Sequence, residues 1–72
     1  MPADPLPILG KTIRKHRERL KWSQEKLAEE AGLHWTYIGG IERGERNVAI
    51  RNIVKIARAM NVKPSALLRD IP

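Results

Sequence analysis

Apolar residues recur along this chain at intervals of three and four, with glycines, prolines and a serine as punctuation. Leu9, Ile13 and Leu20 fall on one stripe, with Arg17 on the step between them and charged residues elsewhere, which predicts a helix from Ile8 to Leu20 carrying one ion on its inner face. Ser23 then stands where a cap would sit before Gln24 and Glu25. Leu27, Ala28 and Ala31 supply a short second stripe, and Gly32 suits a left-handed stop. One residue later, His34 opens a third pattern through Tyr37, Ile38 and Ile41 that ends at Gly44. Asn47 to Ala49 form a connector. Ile50, Ile53, Val54, Ile56, Ala57 and Met60 predict the most apolar helix, at the centre of the core, and Pro64 opens a last short helix with Leu67 and Leu68 facing inward. Residues 1–7 contain three prolines and are expected to form an extended, fraying arm. No stretch alternates as a strand would. The expected fold is all-α: five helices in a single domain over residues 8–72.

Seventy-two residues allow one modest core. A chain of this size buries only about 60% of its unfolded surface, so a partner subunit can add materially to stability. The net charge is +6, the positive residues Lys11, Arg14, Lys15, Arg17, Arg19 and Lys21 crowd one segment, and this balance favours a polyanionic partner over a merely solvated face. The absence of cysteine excludes disulfides, thiolate–zinc sites and a cysteine nucleophile. No apolar run approaches the roughly 18 residues that span a bilayer, and the first ten residues lack a signal-peptide layout; a cytoplasmic protein is expected. The two serines and two histidines suggest no triad. Ser23 and His34 lie at caps, Ser65 in a first turn and His16 on a charged helix, so neither an enzyme, a metal site nor a cofactor is expected.

Two short helices joined by a glycine-containing turn within about 20 residues match the layout that presents a second helix to a DNA major groove while the first crosses the backbone. The segments Ser23-Gln24-Glu25-Lys26-Leu27-Ala28, Ala31-Gly32-Leu33 and Tyr37-Ile38-Gly39-Gly40-Ile41-Glu42-Arg43-Gly44 resemble the lambda-repressor-like, or Cro/C1-type (XRE), helix-turn-helix family. The likeness covers residues 9–68. Gly32-Leu33-His34-Trp35-Thr36-Tyr37-Ile38 followed by Glu42-Arg43-Gly44-Glu45-Arg46-Asn47 looks most like the controller proteins of restriction–modification systems, although phage repressors and antitoxins share most of the pattern.

The resemblance implies a sequence-specific regulator whose base-reading positions fall on Trp35, Thr36 and Gly40, with Gln24 on the DNA backbone. His34 and Tyr37 complete the DNA-facing part of the third helix. Thr36 can hydrogen-bond to a base edge or phosphate, or place its methyl against thymine. Trp35 either meets a thymine methyl or sugar edge or packs on its own domain. Gly39 and Gly40 each weaken a helix by about 0.5–1 kcal/mol relative to alanine; either they let the helix lie deeper or closer to a partner, or they are neutral at exposed sites. Arg43 and Arg46 suit phosphate gripping, and in controller-like relatives the position of Arg46 also reaches a base. Asn47 either contacts a phosphate or helps cap the next helix, where Ala49 replaces the family's usual serine. Arg17 and Glu42 are expected to form a structural ion pair rather than DNA contacts.

A symmetric homodimer on a palindromic operator follows from the same resemblance. Met60, Val62, Leu67 and Ile71 are the candidate dimer face, since they exceed what one small core can bury. Regulation would come by blocking or recruiting RNA polymerase through position alone. The competing class is an antitoxin or other protein-interaction module on the same fold; with Asp70-Ile71-Pro72 following so soon after the last helix, a toxin-wrapping tail is not expected. A basic membrane-surface helix at residues 11–21 is disfavoured, because its narrow apolar face is needed for the core.

Overall fold

The computed structural model describes residues 3–72, in which five helices succeed one another: α1 (Pro5–Arg19), α2 (Gln24–Ala31), α3 (Trp35–Glu42), α4 (Ile50–Ala59) and α5 (Pro64–Leu68). No strand occurs among the described residues. The arm expected over residues 1–7 requires correction. Residues 1 and 2 lie outside the described part, and α1 begins at Pro5, with Asp4 as its cap accepting from the Leu6 N–H at 3.0 Å. The first amides of a helix have no intrahelical partner, so Pro5 and Pro7 cost nothing there, and their fixed φ favours the first turn.

The turn between α2 and α3 is built as its punctuation predicts. Ser23 Oγ accepts from the Lys26 N–H at 3.0 Å, and Gly32 adopts φ 69°, which lets the Leu33 N–H reach Ala28 O at 2.9 Å. Gly44, after α3, has φ 75°, and a Cβ there would stand 2.8 Å from Pro7 Cα. The loop leaving α3 is thereby seated on the start of α1.

Leu9, Ile13, Leu27, Ile38, Ile41, Ile53, Ile56, Ala57, Met60 and Leu67 all lie in one core. Two expectations change. Leu68 is exposed, because only one of two successive helical residues can face inward in a helix as short as α5. Of the residues expected at a dimer face, Met60 and Leu67 are inside the monomer core and are not free to form one, while Val62 and Ile71 are half-buried against it. The spare apolar surface lies on α4, whose positions 53, 56, 57 and 60 face the core while Ile50, Val54 and Arg58 follow a second stripe at steps of four. Ile50 is 62% exposed and, with Val54, Arg51, Lys55 and Arg58, lines a shallow depression of about 320 Å³. His16 sits among Arg19, Arg69 and Lys15; partial burial and these cations hold its imidazole below the usual histidine pKa.

Candidate nucleic-acid interface

The reading unit is locked from within by one carboxylate. Arg17 of α1 donates from Nε to Glu42 Oε2 at 2.7 Å and from Nη2 to Glu42 Oε1 at 2.9 Å, while its Nη1 donates to Trp22 O at 2.7 Å. The pair is largely shielded, with side-chain exposures of 11% and 3%. The Glu42 hydrogen bond raises the Arg17 pKa further, so the guanidinium is charged at any pH the fold tolerates. Gln24, placed on the DNA backbone by sequence, also gives Glu42 Oε1 an N–H at 3.0 Å. One amide proton of Gln24 is therefore committed to holding α2 against α3.

α1 reaches α3 through Gly10, which sequence reasoning did not single out. A Cβ there would collide with Ile41 O and stand 2.6 Å from Glu42 O. Only glycine lets the α1 backbone approach the end of α3 this closely. Periodicity gives no signal for it, because the collision is with another helix.

At its start α3 turns an exposed surface of His34, Trp35 and Thr36 outward. His34 caps the helix: its Nδ1 accepts from the Thr36 N–H at 3.2 Å and lies 2.7 Å from Thr36 Oγ1. In the tautomer whose Nδ1 accepts from this amide, the Thr36 hydroxyl donates to the same nitrogen and keeps its lone pairs and methyl for a ligand. Trp35 is 53% exposed and stacks on the His34 ring at 6.2 Å between centroids; it does not pack into its own core. Tyr37 is half-buried against the core, and its hydroxyl accepts from Asn52 Nδ2 at 3.0 Å. Asn52 is a second residue that the sequence reading missed.

The end of α3 departs from expectation. Gly39 and Gly40 are both buried, so Gly40 is not an open reader and the account of neutral glycines at exposed sites fails. The nearest atoms over them are arginine atoms: Arg43 Nη1 lies 3.1 Å from a Cβ built on Gly39, with Gln24 Oε1 next at 3.3 Å, and Arg46 Cγ lies 2.8 Å from one built on Gly40. Arg43 also donates from Nε to Glu45 Oε1 at 3.1 Å in an exposed pair. Asn47 is exposed and does not cap α4, whose capping position is Ala49, with no side-chain cap bond. No cluster of three or more metal-ligating side chains occurs among the described residues, and none of the described helices is long and apolar enough to cross a membrane.

A family profile described as helix-turn-helix matches residues 13–67. Control protein C.BamHI of Bacillus amyloliquefaciens is 50% identical over 62 residues, spanning 85% of this chain and 76% of that protein. The crystal structure of the restriction–modification controller protein C.AhdI from Aeromonas hydrophila matches with a TM-score of 0.85 at 44% identity, covering 86% of this chain and 94% of that one. SinR, described as a master regulator for biofilm formation and solved in complex with DNA, matches with a TM-score of 0.80 at 31% identity, over 83% and 97% of the two chains. A locked two-helix unit with a polar and cationic outer face, on the fold and sequence pattern of these proteins, makes the chain a DNA-binding transcription regulator of the Cro/C1-type helix-turn-helix family.

Proposed function

We propose that the protein acts as a homodimer on a two-fold operator, as a controller of a restriction–modification locus. Each copy inserts α3 into a major groove, with half-sites roughly 34 Å apart. The observation that carries this reading is the exposed arc of α3 and its following loop. His34, Trp35 and Thr36 stand at one end, and Arg43, Arg46 and Asn47 at the other, on a helix whose opposite side is buried. Thr36 and Arg46 read bases, Arg43 and Asn47 hold phosphates, and the Tyr37 hydroxyl, already accepting from Asn52, has its proton free for a phosphate oxygen. Gln24 supports Glu42 and reaches the backbone with its second N–H. The dimer face is the Ile50–Val54 stripe of α4, in place of the buried Met60 and Leu67. The protein works in the cytoplasm, on the nucleoid, by occluding or recruiting RNA polymerase from a fixed position.

Selection of bound sequences from random duplex DNA by the purified protein tests this reading. A palindromic motif, with each phosphate contact adding about 0.9 to the log–log salt slope, is the expected result. Equal affinity for all duplexes at physiological salt would move the protein to the antitoxin-like, protein-binding class.

A further inference from the structure

Gly40 occupies the interior of α3 and is buried. Glycine weakens a helix there relative to alanine, and exposure does not account for it. Outside the helix's own backbone and the adjoining residues, the three atoms nearest to a Cβ built on Gly40 all belong to Arg46: Cγ at 2.8 Å, Nε at 3.3 Å and Cδ at 3.6 Å. Arg46 comes from the loop after α3. That loop is fixed directly beneath Gly40, where the Glu45 N–H donates to Gly40 O at 2.9 Å. The backbone bond sets where the Arg46 stem begins, and the missing side chain leaves the space in which that stem lies on the helix.

We propose that Gly40 is a positioning residue for Arg46: the absent Cβ is a seat for the arginine stem, which aims the guanidinium at the operator. The proposal rests on the reading in which Arg46 meets DNA. An arginine gives up substantial rotamer freedom when it is fixed. A stem already seated has lost part of this before binding, so less is lost on the DNA. Gly39 is the looser neighbour. Its would-be Cβ meets only the far ends of side chains, Arg43 Nη1 at 3.1 Å and Gln24 Oε1 at 3.3 Å, and these yield by a few tenths of an ångström where a Cγ cannot without changing the first rotamer.

A double-mutant cycle on the full chain tests the seat. Wild type, Gly40→Ala, Arg46→Ala and the double variant are compared by circular dichroism, by affinity for the operator that wild type selects, and by affinity for operators changed one base pair at a time. Gly40→Ala is expected to stay helical and to bind roughly tenfold more weakly. In the Arg46→Ala background the same change should alter affinity by less than about twofold. The base preferences lost in Gly40→Ala should be those lost in Arg46→Ala.

Equal losses in both backgrounds would mean that the added methyl meets the DNA itself, and no loss in either would mean that the seat is idle; both outcomes overturn the proposal. If Gly40→Ala alone fails to fold, a folded double variant supports the seat and an unfolded one overturns it. A wild-type protein that selects no motif overturns the operator reading and the proposal with it, and is told apart by the wild-type selection alone.

Discussion

Removing the Glu42 carboxylate leaves three donors without their acceptor, two from Arg17 and one from Gln24. Glu42→Ala is expected to destabilise the fold by about 3–5 kcal/mol in urea titrations, because an unpaired, shielded guanidinium remains. Arg17→Met combined with Glu42→Leu should recover much of that loss, since no charge is then stranded. This pair was legible in the sequence, where Arg17 was the one ion on an apolar stripe and Glu42 directly followed core Ile41. Gly10 was not. At its place on α1 it reads as an ordinary helix-weakening residue, and only the carbonyls of Ile41 and Glu42 explain it. Gly10→Ala should lower stability by about 3 kcal/mol despite alanine's better helix propensity, as backbone on both sides leaves nothing flexible to yield. A thermal melt that rises instead would refute the close approach. Gly40 is a third case. Its oddity was visible in the sequence, but the side chain that covers it comes from a loop whose path no periodicity describes.

At the scale of helices, the boundaries that sequence marked with a capping hydroxyl or a left-handed glycine are the ones it placed well, because those signals act through bonds within a few residues. The start of α1 was placed too late because prolines were read as breakers. Within a first turn, after a capping aspartate, they begin a helix rather than prevent it. α4 lacks such a cap, and its first amides find no side-chain acceptor at Ala49. Ala49→Ser should stabilise the protein by about 1 kcal/mol, seen as a rise in Tm of roughly 4–8 °C for a domain of this size. An unchanged Tm would show those amides to be satisfied already. The same helix explains why the buried Met60 was counted toward a dimer face. Its apolar residues form two stripes rather than one, and the sequence counted Ile50 and Val54 toward the core when they run along the side of it.

For the whole molecule, the proposed dimer and the proposed DNA contact respond to salt in opposite directions. Arg51, Lys55 and Arg58 rim the apolar depression, so two copies joined there bring like charges together, and screening strengthens their association. DNA binding is weakened by the same salt, through counterion release. Sedimentation from 50 to 500 mM salt should show the dimer tightening while operator affinity falls. Val54→Asp should leave a folded monomer whose melting no longer depends on concentration. A dimer that survives that substitution would place the interface elsewhere.

The Tyr37–Asn52 hydrogen bond then acquires a meaning beyond local packing. Asn52 sits on α4 between Ile50 and Val54, and Tyr37 lies in the first turn of α3. One 3.0 Å link therefore braces the helix proposed to enter the groove against the helix proposed to face its twin. In a two-fold pair this brace occurs twice and acts like the pivot of a calliper. In the proposed dimer a shift at that hinge moves both copies of α3, so the spacing of operator half-sites it accepts would be set far from any base it touches.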